Sequence, residues 1–211
     1  MNTPFLGILM ILLTFGLVVL ATVVFVHARL KKQPAPWRPL AIGAAGWMAV
    51  YVAMLLGSSL TSRERLLGFN EDKRFCGFYI DCHMQVAVTD VDTVRQFATL
   101  KAGGLYYVVT LRVSSSAVAA HLRLLDPRFV LRDAHGREFQ PLPVAHHDSL
   151  TRLIGPEESF TTTVVFDVPD SIAAPRLYVT EGIWADKVLE FFLIGDEDSV
   201  LHERTSFRIA V

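Results

Sequence analysis

Two long apolar stretches open the chain, and beyond them the alternation of hydrophobic and polar positions changes period. Phe5 to Val26 is a run of 22 residues whose only polar members are Thr14 and Thr22, and Leu40 to Leu60 holds 21 residues with only Ser58 and Ser59 polar. At 1.5 Å per residue a helix of the first length reaches about 33 Å, enough for a hydrocarbon core of roughly 30 Å. The pattern predicts a transmembrane helical hairpin over residues 1–60, with helices at about 5–26 and 40–60 and a linker at 27–39. Gly43, Ala44, Ala45 and Gly46 would let a neighbouring helix approach closely, and Trp37 stands where an interfacial aromatic belongs. Val26-His27-Ala28 loosely resembles a signal-peptide cleavage site. Against cleavage, no basic residue precedes the first run, and its length exceeds the usual core of about 7–15 residues. The Arg29-Leu30-Lys31-Lys32 cluster that follows reads as a stop-transfer flank.

After Thr61 the period becomes two. Met84, Val86 and Val88 alternate with polar or small residues. Leu105, Tyr107, Val109, Leu111 and Val113 share one face, and so do Phe160, Thr162, Val164, Phe166 and Val168. Shorter strands are expected at Phe129 to Arg132, Glu138 to Leu142, Leu177 to Thr180, Val188 to Ile194 and Ser206 to Val211, and Asp92 to Leu100 could hold a short helix. Alternation buries one face of a strand and wets the other. Turn signals separate the segments at Lys101 to Gly104, Asp126-Pro127, Asp133 to Gly136 and Gly155-Pro156. Seven to nine short strands at this spacing predict an antiparallel sandwich over residues 61–211, built on one core.

Charge adds an orientation. The first 60 residues contain no Asp or Glu, and their only Lys or Arg residues are Arg29, Lys31, Lys32 and Arg38, all in the linker. All 21 acidic residues and the other 16 basic ones follow Leu60, giving that part a net charge of −5. The positive-inside rule places the linker in the cytoplasm and residues 61–211 across an inner or plasma membrane, although Arg63 and Arg65 pull the other way. Apolar residues are 52% of the chain and charged ones 19%, against about 25% charged in a typical globular domain. The composition excludes a disordered tail, a collagen-like chain, a disulfide-dense miniprotein and a basic nucleic-acid binder.

Several stretches carry a resemblance. Gly104-Leu105-Tyr106-Tyr107-Val108-Val109-Thr110-Leu111-Arg112-Val113 resembles the G-x-(F/Y)-hydrophobic-hydrophobic-V-x-V-x-V strand of a bacterial immunoglobulin-like family. Asp126 to Leu142, with Phe129 to Asp133 and His135 to Phe139, is similar to its f-x-L-x-D-x-x-G-x-x-(Y/F)-x-P hairpin. Leu153 to Ser159 followed by Val164 to Pro169 resembles its L-x-P-G-E-S-x…V-x-F-x-V-P signature. The family is a domain of unknown function related to a secreted mycobacterial immunoprotective antigen, and the resemblance covers about Gly104 to Val179. Two departures fall in turns: Ser114-Ser115-Ser116 stands where asparagines are usual, and Glu157 replaces a glycine. The resemblance implies an extracytoplasmic immunoglobulin-like sandwich and supplies no catalytic residues.

Candidate chemistry concentrates at Cys76-Gly77-Phe78-Tyr79-Ile80-Asp81-Cys82-His83-Met84. A thiolate, an imidazole and a thioether together invite a copper site. Cys82, His83 and Met84 are adjacent, however, and in a strand they point to alternate faces. The competing readings are a Cys76–Cys82 disulfide in an oxidising compartment, or free or redox-active thiols. A disulfide requires the chain to fold back between the two, because a straight strand would hold their Cα atoms about 20 Å apart and a bridge needs roughly 4.4–6.8 Å. Gly77 and Asp81 are the residues suited to such a turn. Phe75, Phe78 and Tyr79 form either a partner-binding patch, part of the core, or interfacial anchors.

His146-His147-Asp148-Ser149, with His135, lacks any accompanying G-x-S-x-G or H-E-x-x-H pattern and reads as a solvated loop. Asp196-Glu197-Asp198 lacks the spaced ligands of a calcium loop and reads as a turn. The expected function is a non-enzymatic, membrane-anchored binding or accessory module with no cofactor and no metal. Its expected partners are membrane lipid and a protein of an envelope complex, not nucleic acid. The alternative is a membrane-tethered thiol-redox or copper-handling protein using Cys76, Cys82, His83 and Met84.

Overall fold

The computed structural model describes residues 3–34, 36–77, 81–97, 100–143 and 150–209. It divides into two compact units: residues 1–63 with 187–203, and residues 64–186 with 204–211.

In the first unit, helix α1 (Thr3–Leu30) and helix α2 (Trp37–Leu60) coincide with the two apolar runs. α1 extends past its run to Leu30, where Lys32 at φ +54° ends it and the Gln33 N–H closes on the Ala28 carbonyl at 2.9 Å. α2 begins three residues before its run, at Trp37. Their side chains are turned outward almost throughout: Leu12 is 61% exposed, Phe15 68% and Ile42 74%. The Trp47 indole N–H donates to Thr14 Oγ1 at 3.0 Å, so these two polar groups are satisfied within the hairpin. Near the end that holds the N-terminus of α1, Met10 and Leu55 enclose Ile194, with Leu6, Tyr51, Met54 and Val200 around them.

The second unit is a β-sandwich. One sheet runs β2 (Lys73–Gly77), β3 (Asp81–Phe97), β4 (Leu100–Ser115), β7 (Ser159–Val168), all antiparallel. The other has the order β1-β9-β8-β5-β6, from β1 (Leu66–Leu67), β5 (Arg128–Arg132), β6 (Glu138–Phe139), β8 (Arg176–Thr180) and β9 (Ser206–Arg208); β1 joins β9 in parallel at its edge. The inward faces are those of the period-two pattern. Val86, Val88, Val109, Leu111, Val113, Val164 and Phe166 from one sheet meet Phe129, Leu131, Leu177, Val179 and Phe207 from the other. Burying each side chain of this size is worth about 1.5–3 kcal/mol, and the shared core is what holds the two sheets face to face.

The family-like motifs have local physical causes. Gly104 opens the β4 motif because a Cβ there would lie 2.4 Å from the Val168 carbonyl oxygen, and no side chain fits that approach. In the hairpin after β5, the Asp133 carboxylate has no solvent exposure. It accepts the N–H groups of His135 and Arg137, both at 2.9 Å, and Arg137 Nε at 2.7 Å. Burial acts to raise its pKa, but these bonds outweigh burial and hold the carboxyl below its ordinary value. The D-x-x-G pattern is thus a turn closed by an ionised aspartate over Gly136 at φ +78°.

The departure at Glu157 is the reverse case. It sits at φ +56°, a left-handed conformation that costs a residue bearing a Cβ roughly 1–2 kcal/mol. Glu157→Gly removes that strain, and glycine's larger unfolded-state entropy takes back about 0.4–1 kcal/mol. A net gain of up to about 1 kcal/mol is expected, read as a higher urea midpoint at unchanged slope. A midpoint that does not rise refutes it.

Two expected elements are corrected. Asp92 to Leu100 is not a helix: Asp92 to Phe97 continue β3 and Leu100 begins β4, because β-branched Val91, Thr93 and Val94 pair with Val109, Tyr107 and Tyr106. Val188 to Ile194 is not a strand. Val188 to Phe192 belong to helix α3 (Trp184–Phe192), in which Trp184, Val188, Phe191 and Phe192 recur at helical spacing and Asp186 and Glu190 take the other face. The Asp186 carboxylate accepts the Ile183 N–H at 3.2 Å and closes the first turn. The run from 188 is too apolar for its period to be read without Trp184 to Lys187.

Candidate functional site

The cysteine cluster is a hairpin. β2 and β3 pair with Phe75 opposite Met84 and Gly77 opposite Asp81, so the chain folds back as a bridge requires. Cys76 and Cys82 are joined, with Cα atoms 3.8 Å apart, closer than the usual range of roughly 4.4–6.8 Å. The neighbours then diverge as strand geometry demands: Met84 is buried in the core, while His83 is exposed and its Nδ1 lies 3.2 Å from Ser116 Oγ. With Cys82 consumed by the bridge and Met84 turned to the opposite face from His83, the three do not converge on one ion. Phe75 is 6% exposed within the sandwich core, and so does not contribute to a surface patch. Phe78 and Tyr79, like His146 to Ser149, lie outside the described residues. At 196–198 the Asp198 N–H donates to Asp196 Oδ1 at 2.8 Å, a turn closed on itself. Among the described residues no three His, Cys, Asp or Glu side chains form a metal-holding group.

A site that the sequence reading passed over lies on the outer face of the β5–β8 pair. Register places Arg132 opposite Arg176 and Val130 opposite Tyr178, so the outward positions of both strands converge there. Arg132, Asp133, Ala134, Gly136, Ala174, Arg176 and Tyr178 line a recess of about 340 Å³. The Arg132 guanidinium lies over the Tyr178 ring, 4.9 Å from its centroid, and Arg132 Nε donates to Glu138 Oε1 at 3.1 Å. Arg176 pairs with Glu64, whose carboxylate also accepts Tyr178 Oη at 3.0 Å and Ser206 Oγ at 2.6 Å. Burial acts to raise the Glu64 pKa, but the bonds from Ser206, Arg176 and Tyr178 outweigh it and hold the carboxyl below its ordinary range. Burial, then the bond to Glu64, push the Tyr178 phenol above its ordinary value. Glu64 stays ionised and Tyr178 stays a phenol at neutral pH, so the pair does not exchange a proton there. The recess offers two planar cations and a ring already held in place by carboxylates, which suits recognition of an acidic or planar group.

A second polar cluster sits at Glu181, where Leu125 N–H donates to Oε2 at 3.3 Å. Burial pushes this carboxyl up to about 7; neighbouring Asp186 adds to the rise, and the Leu125 N–H and the Lys73 charge oppose it. Lys73 is itself buried, and its Nζ donates to the Val179 carbonyl at 2.8 Å.

Compared with known proteins, the chain matches no family model and no curated protein. Among solved structures it is similar to MPT63, a secreted protein of Mycobacterium tuberculosis, with 12% identity and a TM-score of 0.47 over 71% of this chain and 100% of that one. It is also similar to an uncharacterized β-sandwich protein of Clostridium difficile 630, with 10% identity and a TM-score of 0.41 over 71% and 96% of the two chains. A third is the yjhA protein of Bacillus subtilis, with 11% identity and a TM-score of 0.40 over 68% and 98%. In this chain the two facing sheets form a β-sandwich domain, preceded by two long apolar helices.

Proposed function

We propose that this protein is a non-enzymatic, membrane-anchored accessory module, whose immunoglobulin-like sandwich binds a protein partner of an envelope complex outside the cytoplasm. The observation that carries the anchor is the uncovered state of the two apolar helices. They contain 18-residue stretches with mean hydropathies of 2.9 and 1.9, and only 6% of each stretch is buried. In water such a surface would be an extreme apolar patch, whereas in lipid it is the ordinary outside of a hairpin whose backbone bonds are all internal. The reading of the sandwich as a binding module rests on the Arg132–Tyr178–Arg176 recess, an array suited to holding a group rather than to moving a proton. The reading needs no cofactor and no nucleic acid.

Copurification of the intact chain in mild detergent, with crosslinking, tests the partner. A defined larger assembly is expected; a lone monomer with nothing crosslinked overturns it. Topology is tested by fusing a reporter after Val211. With four basic residues in the linker against Arg63 and Arg65 beyond α2, alkaline phosphatase, active only outside the cytoplasm, is expected to work there. Activity of a cytoplasm-only reporter at the same point reverses the orientation.

A further inference from the structure

The apolar face of α3 has no protein covering it in the described structure. Trp184 is 80% exposed, Val188 40%, Phe191 45% and Phe192 53%, whereas Asp186 and Glu190 lie on the opposite side of the helix and Lys187 on its flank. At 100° per residue these four side chains fall within one arc of about 100°, a continuous stripe. With Leu189, exposed beside the stripe, five exposed large side chains on a helix of 9 residues are not the scattered apolar groups of an ordinary surface.

The same unit shows what medium the stripe meets. The chain leaves α3 directly into Leu193 and Ile194, and Ile194 is seated on Met10 of α1 and Leu55 of α2. A Cβ on Gly7 of α1 would come within 2.7 Å of the Ile194 carbonyl oxygen, so this segment lies flush against the hairpin. Gly7 is four residues from the start of α1 and Leu55 five from the end of α2, which places the contact about 6–8 Å inside the helix ends. An interfacial helix buries its apolar face about 5–10 Å into the headgroup and acyl boundary. The end of α3 is held by the hairpin as well. The Phe192 carbonyl, one of the last-turn acceptors without an intrahelical partner, receives the Tyr51 hydroxyl of α2 at 2.7 Å. A backbone acceptor met by a side chain of the hairpin, instead of by water, is what a lipid-facing segment requires.

We infer that α3 is an interfacial helix, lying in the outer leaflet beside the hairpin with Val188, Phe191 and Phe192 in the acyl region and Lys187 turned to the headgroups. The occupant of the stripe is lipid. This rests on the membrane reading of α1 and α2, and its consequence is a third attachment contributed by the second half of the chain.

The test uses the full chain in phosphatidylcholine vesicles, with Trp37, Trp47 and Trp184 replaced by Phe and one tryptophan returned at a time. Phe192→Trp and, separately, Val188→Trp report on the stripe; Glu190→Trp reports on the opposite face, and Phe15→Trp on the middle of α1. Lipid brominated near the carboxyl end of its acyl chains is expected to lower emission at 192 and 188 about twofold or more, to leave 190 largely unquenched, and to be less effective at 15 than lipid brominated near the chain end. Quenching at 15 without quenching at 188 or 192 overturns the inference and leaves the membrane reading intact. In that case accessibility of 188 and 192 to aqueous acrylamide assigns the stripe to water, and protection from both quenchers assigns it to a covering protein. Absence of quenching at all positions overturns the membrane reading and this inference together.

Discussion

Between pH 4.5 and pH 7 the sandwich is expected to lose about 2–3 kcal/mol of stability through Glu181 alone, whose ordinary value is 4.5 and which the fold raises to about 7. The sign follows from proton binding. In this window the folded protein holds the Glu181 proton and the unfolded chain has released it, so each step up in pH favours unfolding. Below 4.5 both states carry the proton, and above 7 neither does, so the contribution is flat on either side. Glu181→Gln keeps an acceptor for Leu125 N–H and removes the charge. The variant is therefore expected to match the wild type at low pH and exceed it at pH 8. Urea unfolding of the full chain in detergent, followed by a probe of the sandwich, measures the difference between the two curves. Parallel curves across the window would show that Glu181 titrates as an ordinary carboxyl. Glu64 and Asp133, both held below their ordinary values, act in the opposite sense. The stability they provide is present at neutral pH and lost as the solution is acidified through their lowered folded values. The sandwich should therefore be most stable in mildly acid solution.

Opening the Cys76–Cys82 bridge is expected to cost about 2–3 kcal/mol, the chain-entropy value for so short a loop. The double substitution Cys76→Ser, Cys82→Ser and reduction of the wild type should give the same fall in urea midpoint. Both cysteines should resist thiol labelling in denatured, unreduced protein alkylated early. Labelling of both, or a midpoint indifferent to reduction, refutes the bridge and returns weight to free thiols. The loss is local in origin: the bridge ties β2 to β3, and β2 carries Phe75 into the core and Lys73 to the Val179 carbonyl of the opposite sheet.

Where a residue's neighbours in sequence determine its surroundings, the sequence was enough. The two apolar helices are legible because length and hydropathy act within one continuous segment, and backbone bonds close within the helix. The long strands β3, β4 and β7 are legible because burial on one face writes a period of two directly into the chain. The turn at Asp133 is equally local, an aspartate and a glycine three residues apart closing one hairpin. Sequence reading failed where an element borrows its stability from elsewhere. β1 and β2 are too short to show a period and exist because β9 and β3 pair with them. The α3 stripe merges with the apolar Leu193 and Ile194, which face the hairpin, so the run resembled a strand until the helix fold separated the two sets.

The sequence by itself determined that this chain has two membrane-length helices and a sandwich core, since both follow from the spacing of apolar residues. Only the tertiary structure decided which polar residues matter. Arg132 and Arg176, 44 positions apart, share a recess through the β5–β8 register, and Glu64 reaches Arg176, Tyr178 and Ser206 only once β8 and β9 are paired. Glu181 is raised by burial that no neighbour in the chain announces. Apolar burial is set by pattern, whereas a charge depends on a few specific partners, and those are chosen by strand pairing across long stretches of chain.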